Sequence, residues 1–283
     1  LRSFGDSTGL FEIQKQTLLI DNQKLGNMLK NYLTIAWRTL AKQRFYTIIN
    51  VAGLATGVAA CMVIVLFVIN ELSYDRHHEH ANRIYRINGE IKFGGNHYKL
   101  AVAPAPLASV LLQDYPEVES AVRFRTRGSY LVKKSETADN IKENNVVWAD
   151  STFFRIFSVP VLEGNPNSAL KDPNCIAISQ RTAQKFFPDG NALGQLLIMD
   201  NGWPMKVTAV YEDMQETGHF VFDILISLSG LDEAKSTNFL SNNFNTYVLL
   251  KEGTDVNTLE SKLPGIVTKY IGPQAAEVLG GDF

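Results

Sequence analysis

Ile48-Ile-Asn-Val-Ala-Gly-Leu-Ala-Thr-Gly-Val-Ala-Ala-Cys-Met-Val-Ile-Val-Leu-Phe-Val-Ile69 is a run of 22 positions without a charge, and its reading decides the architecture of the chain. Eighteen of the 22 are Ala, Val, Ile, Leu, Met, Phe or Cys; the exceptions are Asn50, Gly53, Thr56 and Gly57. At about 1.5 Å rise per residue such a helix is about 33 Å long, enough to cross a hydrocarbon layer of ~30 Å. Twelve positions are Leu, Ile, Val or Phe. Near the bilayer centre they sum to roughly −4 to −7 kcal/mol, an upper bound because terminal positions count for less. A buried core helix would be shorter and broken by polar residues. A signal peptide would carry a shorter apolar region, with a small-x-small cleavage site after it. The sequence predicts a transmembrane helix over residues 48–70.

Small residues crowd the first half of this run: Ala52, Gly53, Ala55, Gly57, Ala59 and Ala60. Gly53 and Gly57 are four apart, share one helix face, and would let another helix backbone approach closely. They are the candidate helix-packing residues, and Leu66 is expected on the reverse, lipid-facing surface.

Charge divides unevenly about the span. Residues 1–47 carry seven Lys/Arg against three Asp/Glu, net +4, and residues 70–283 carry 20 against 26, net −6. Arg38, Lys42 and Arg44 stand close before the span. The positive-inside rule therefore predicts a cytoplasmic N-terminus and an extracytoplasmic C-terminal part. Residues 1–27 form a polar extension with no initial Met, and Met28 is expected to be the natural start. In the 28–47 segment Leu29, Tyr32, Leu33, Ala36, Trp37 and Leu40 make one helical stripe, with Asn31, Thr34, Arg38 and Lys42 opposite. Such an amphipathic juxtamembrane helix suits the bilayer interface, with membrane lipid as its partner.

Cys61 in the span and Cys175 far beyond it give no disulfide framework. A pI near 6.3 and the lack of a long basic run leave no signal for nucleic acid.

From residue 71 to 283 the pattern is α+β. Residues 83–91 alternate, and a Phe93-Gly94-Gly95-Asn96 turn leads into a returning run, which predicts a hairpin. Pro104 and Pro106 introduce a helix over 107–114, ended by Tyr115-Pro116. Strands are expected over 118–125, 130–133, 145–149, 175–178 and 247–250. Ser179 is expected to cap a short helix through Phe187. Asp200-Asn201-Gly202 is expected to turn a second hairpin from 196–199 to 205–211. A last helix carries Val256, Leu259, Leu263, Ile266 and Tyr270, bent or broken at Pro264.

Side chains able to do chemistry are sparse. Asp75, His77, His78, Glu79 and His80 match neither H-E-x-x-H nor a finger spacing, so no metal site is assigned. Asp213, Glu216 and His219 share a loop and read as a capping or solvated set. Arg123, Arg125 and Arg127 alternate and read as a solvated strand edge. No G-x-S-x-G elbow and no G-x-x-x-x-G-K-[ST] loop occurs, so no catalytic residue and no cofactor are assigned.

The order of segments carries a resemblance. Glu71-Leu-Ser-Tyr-Asp-Arg-His-His-Glu-His-Ala-Asn-Arg-Ile-Tyr-Arg-Ile87 resembles the boundary after the first span of FtsX/MacB-like ABC transporter permeases. Ala105-Pro-Leu-Ala108, Asp114-Tyr-Pro-Glu-Val-Glu119, Trp148-Ala-Asp-Ser-Thr-Phe-Phe-Arg-Ile-Phe157, Asp172-Pro-Asn174, Ile178-Ser-Gln180 and Val207-Thr-Ala-Val210 follow in the order found in the MacB-like periplasmic core domain, as it occurs in Bacteroidetes-type permeases. The resemblance covers roughly residues 28–271. It implies a four-span permease of a bacterial inner membrane, with a large periplasmic domain between its first two spans. It also implies, as partners, a cytoplasmic ABC ATPase subunit and further transmembrane helices of the permease or a second permease copy. Movement of the outer domain would be coupled to ATP hydrolysis, in export, efflux or mechanotransmission. The chain departs from that pattern by carrying one span and most of one outer domain, as if truncated before the next span. The alternative is a single-pass, sensor-like protein whose outer domain binds a ligand or partner.

Overall fold

The computed structural model describes residues 28, 30–72, 79–93, 96–215 and 218–279. It divides into two compact units, with the boundary between Leu72 and Ser73. Residues 1–27 and the glycine turn at 94–95 lie outside the described residues, as do Asp75, His77, His78 and Glu216.

In the first unit residues 30–42 are helical (α1), Gln43 is a turn, and α2 spans Arg44–Leu72. A bend frees carbonyl groups that must find other donors. The Thr47 hydroxyl lies 2.9 Å from Leu40 O and 3.0 Å from Gln43 O, and Arg44 Nε donates to Ala41 O at 3.2 Å. Within α2 the Thr56 hydroxyl donates to Ala52 O at 2.8 Å, which satisfies a polar group in an otherwise apolar helix. Arg44–Ile69 is long and apolar enough to cross a membrane. Between Asn50 and Asn70 only Thr56 interrupts the apolar and glycine positions of α2, so this stretch is apolar on every face.

The second unit is α+β. In chain order it contains β1 (Ile84–Ile87), β2 (Gly89–Phe93), β3 (Asn96–Leu100), β4 (Ala103–Pro104), α3 (Leu107–Asp114), β5 (Val118–Arg125), β6 (Tyr130–Lys133), β7 (Ile141–Glu143) and β8 (Val146–Ala149). There follow α4 (Phe153–Ile156), β9 (Val161–Gly164), β10 (Cys175–Ser179), α5 (Gln180–Phe186), β11 (Leu196–Met199), β12 (Trp203–Tyr211), β13 (Ile224–Ser227), β14 (Asn242–Leu250), α6 (Val256–Lys262), α7 (Pro264–Ile266), a π turn over Val267–Ile271, and α8 (Gly272–Leu279). Among the described residues twelve strands form one sheet in the order β1-β14-β5-β8-β13-β10-β12-β11-β6-β7, with β4 beside β14 and β9 beside β12. The pairs β8–β13 and β10–β12 are parallel; the other pairs are antiparallel.

Alternation along the central strands divides the core between the two sheet faces. Ile176, Ile178, Val207, Ile224 and Ile226 pack on one face with Phe186 and Phe187 at the end of α5. Ala177, Ala209, Tyr211 and Leu225 pack on the other with Phe153, Ile156 and Phe157 of the α4 region. A third cluster lies between α3, β14 and the C-terminal helices, around Leu111, Val248, Leu259 and Ile266.

Several expectations meet their elements closely: the Ser179 side chain accepts from Thr182 N, and α5 follows. The turn after β11 places Asp200 at φ +46° and Asn201 at φ +60°, conformations that Asp and Asn tolerate better than other side chains. The alternating 83–91 run is not one strand. It breaks at Asn88, so that β1 joins the main sheet and β2 pairs with β3 as a separate hairpin.

Candidate functional site

The span presents its features on two parallel rows of α2. Gly53, Gly57, Cys61 and Val65 succeed one another at four-residue steps, and Leu54, Val58, Met62 and Leu66 form the neighbouring row. Together they line an apolar surface groove. Rows at i±4 are the ridges and grooves along which helices pack. Among the described residues, no heavy atom outside the helix's own nearby backbone lies within 4 Å of a Cβ built at Gly53 or Gly57, so the notch at each glycine is open. Leu66 borders the far end of the groove, and at nine residues from Gly57 it lies about half a turn around the helix axis from that glycine. The i±4 row drifts around the helix, and Leu66 is the next step after Met62.

In the second unit a cleft of about 220 Å³ is walled by Ser158–Pro160 on one side and by Glu212–Gln215 and Gly218–Phe220 on the other. A smaller pocket of about 110 Å³, lined by Ile84, Arg86, Phe157 and Tyr247 among others, shares His219 and Phe220 with it. The floor is aromatic: Phe124, Phe153, Phe157, Phe220, Phe222 and Tyr247 pack with ring centroids 4.9 to 6.3 Å apart. Each such ring pair adds about 0.5–1.5 kcal/mol beyond its area burial.

The polar groups of the cleft hold structure together. Asp213 Oδ1 accepts from the backbone N–H of Arg181 at 3.0 Å, at the start of α5. Arg86 Nη1 lies 3.3 Å from His219 Nε2, and Ser158 Oγ accepts from the Glu79 N–H at 2.9 Å. Asp213 and His219 do line one cleft, as their sequence spacing allowed. Of the juxtamembrane acidic and histidine cluster, His80 Nδ1 lies 3.1 Å from Arg83 Nη2.

Two charged networks carry more weight than the sequence suggested. Arg123 is not on a solvated edge, because β5 runs inside the sheet between β14 and β8. Its guanidinium makes paired bonds to Asp150, Nε to Oδ2 at 2.9 Å and Nη2 to Oδ1 at 3.0 Å. Nη1 donates to Ala105 O and Ala234 O. Arg125 and Arg127 both pair with Glu233 at 3.1 Å. Burial alone would raise the Glu233 carboxyl, but the bonds and charges of the two arginines outweigh it and hold it below the ordinary range. In the other network Asp223, at the start of β13, accepts from Arg181 and from Ser179 Oγ, while its Oδ2 takes the Asn145 amide at 2.8 Å. It ties together the ends of β8, β10 and β13. Alternating arginines were the only sequence signal for the first network. The second joins residues 145 to 223 and left none.

The family described as the MacB-like periplasmic core domain matches residues 47–266, from within the span to the C-terminal helices. The chain belongs to this family. MacB-like periplasmic core domains are extracytoplasmic parts of ABC transporter permease-like proteins, and here one is preceded by a helix able to span a membrane. Among solved structures, a domain of a candidate permease protein from Porphyromonas gingivalis aligns with a TM-score of 0.60 at 21% identity, covering 69% of this chain and 84% of that one. That likeness shows a shared fold. The periplasmic region of MacB from Actinobacillus actinomycetemcomitans aligns with a TM-score of 0.45 at 15% identity, over 65% of this chain and 81% of the other. The extracellular domain of the noncanonic ABC-type transporter YknZ from Gram-positive bacteria aligns with a TM-score of 0.43 at 16% identity, over 70% and 94%. No curated protein matches the chain.

Proposed function

We propose that the chain is the N-terminal part of the permease subunit of an ABC transporter, coupling ATP hydrolysis in a cytoplasmic ATPase to movement of its MacB-like periplasmic core domain. The N-terminus is cytoplasmic, α1 rests at the inner lipid interface, and the residues after the span are extracytoplasmic. Gly53 and Gly57 receive another transmembrane helix, from the same permease or a second copy. The observation that carries this reading is that one family match runs from the span through the outer domain. Within the cleft, Asp213, His219 and Ser158 are engaged in tying segments together, which suits a domain that transmits force.

The test is reconstitution of the full permease that contains this chain with an ABC ATPase from the same organism. The expected result is a stable complex whose ATP hydrolysis changes when an engineered disulfide immobilises the outer domain. Failure to bind any ABC ATPase, with normal behaviour as a single-pass protein, would replace this reading with a membrane-anchored binding module.

A further inference from the structure

The main sheet extends past its cover at one end. On β6, β11 and the first half of β12, Tyr130, Val132, Leu197, Met199, Met205 and Val207 are buried on one face. Alternation puts Leu131, Lys133, Leu196, Ile198, Pro204 and Lys206 on the opposite face. The register sets them side by side: Leu196 faces Lys206, Ile198 lies between Pro204 and Lys133, and Leu131 faces Lys142 of β7. At the middle of the sheet this same face is roofed by Phe153, Ile156, Phe157, Ala169 and Leu170. At this end the roof is partial: Lys133 is buried and Ile198 half-buried, but the cover stops short of Leu131, Leu196 and Pro204. Leu196 is 52% exposed, Leu131 is 39% exposed, and Pro204 is exposed as well.

The charges around this strip are of both signs, but two of its lysines stand without an ion-pair partner among the described residues. Lys133 is neutralised by Glu136 at 2.9 Å, and Asp200 spends Oδ1 on the Leu131 N–H. Lys142 and Lys206 are exposed and, among the described residues, have no carboxylate partner. We propose that this partly covered sheet end docks an amphipathic helix of a partner protein. Its apolar side covers Leu131, Leu196, Ile198 and Pro204, and its flanking Asp or Glu residues meet Lys142 and Lys206.

A helix is the occupant because a half-covered sheet face is completed by a helical layer, as α4 and the segment after it complete the rest. A bilayer suits the strip less well: its side chains stand on a flat sheet face level with the lysines, instead of at the tip of a loop that can insert. A second copy laid on by the same strip would bring lysines against lysines.

The test places benzoylphenylalanine at Leu196 in the full chain in its native membrane, with the same photoprobe at exposed Leu112 on α3 as the control. The expected result is a discrete protein adduct from position 196 and none from 112. Mass spectrometry of the crosslinked peptide should return an amphipathic segment containing Asp or Glu. Lys142→Glu combined with Lys206→Glu should lower the adduct yield by about tenfold, while Lys142→Arg with Lys206→Arg should preserve it. No adduct at 196, an adduct with lipid or with this chain itself, a captured segment without carboxylates, or a yield unchanged by the glutamates would each overturn the proposal.

Discussion

Gly164 ends β9 at φ +93°, and a Cβ placed there would lie 2.4 Å from the Thr208 carbonyl oxygen and 3.0 Å from Ala209 Cα. Both atoms are backbone of the neighbouring β12, so neither can move aside cheaply. Gly128 shares the left-handed conformation, with φ +90°, but has nothing within 4 Å of its Cβ position. Comparison of the two separates strain from collision. Gly128→Ala should cost about 1–2 kcal/mol from its backbone alone, whereas Gly164→Ala should cost roughly 3–5 kcal/mol. Equal melting temperatures for the two variants would show that β9 gives way freely. Arg123 is the second residue on which much depends, since Asp150 accepts from its guanidinium and also from its backbone N–H at 2.9 Å. Asp150→Ala should destabilise by about 2–4 kcal/mol, less than for a fully buried pair because water still reaches both groups. Arg123→Met with Asp150→Ala should recover part of that loss in a denaturation cycle. A double variant as unstable as the sum of the single ones would mean that the two side chains do not act together.

At the scale of elements, the C-terminal helices are tied to the end of α3 by charge as well as by the third core cluster. Asp114 accepts from Lys269 at 2.8 Å and from the Tyr270 hydroxyl at 2.7 Å; Glu117 pairs with Lys262. Hydrogen bonds from Lys269 and then Tyr270 hold the Asp114 carboxyl below its ordinary value, and the bond from Lys262 does the same for Glu117. A lowered carboxyl contributes stability that is present above the ordinary carboxylate range and is lost as pH falls through the folded value. Lys269 is raised by its bonds to Asp114 and Tyr270, so its contribution persists at neutral pH and fades only in strong alkali. Acidification should therefore free residues 256–279 before the sheet opens. Hydrogen exchange from neutral pH down to about pH 3, after correction for intrinsic rates, would check this, with Lys269→Ala removing much of the difference. If the sheet exchanged first, the helices would be held by packing alone. Of these helices, α6 and α7 were legible from the Val256, Leu259, Leu263, Ile266 periodicity and from Pro264, and β5 from its alternation; α8 was not legible. β13 was not, because Ile224, Leu225 and Ile226 are buried on both faces and show no period of two. β4, β7 and β9 are too short to carry a pattern. The glycine rows of α2 were legible because a helix fixes its neighbours at i+4. The cleft was not, because residues 158–160 are far in sequence from 212–215 and 218–220.

For the whole molecule, the proposed orientation and the proposed packing face stand or fall by separate measurements. Reporter fusions at Lys42 and at Lys99 should report cytoplasm and outside respectively, as the Arg38, Lys42 and Arg44 flank requires; the reverse pattern would overturn the topology. The outer unit, about residues 71–271, should fold as a soluble fragment without metal or disulfide, since its clusters close within it. Cooperative unfolding gained only on adding zinc would return attention to the Asp75–His80 segment. The packing face permits a cleaner experiment because the structure removes a confounding cause. A side chain at Gly53 or Gly57 meets nothing among the described residues, so Gly53→Leu and Gly57→Leu should leave folding and membrane insertion unchanged. Any effect must then come from a helix that approaches the groove. Val63→Leu adds bulk on α2 away from both groove rows and serves as the control. In the full permease both glycine variants should weaken assembly with the other spans and reduce coupled ATP hydrolysis by about tenfold, while Val63→Leu stays near the parent. Parent-like assembly and coupling in both glycine variants would reduce α2 to an anchor, and would leave the outer domain to act without a packed span beneath it.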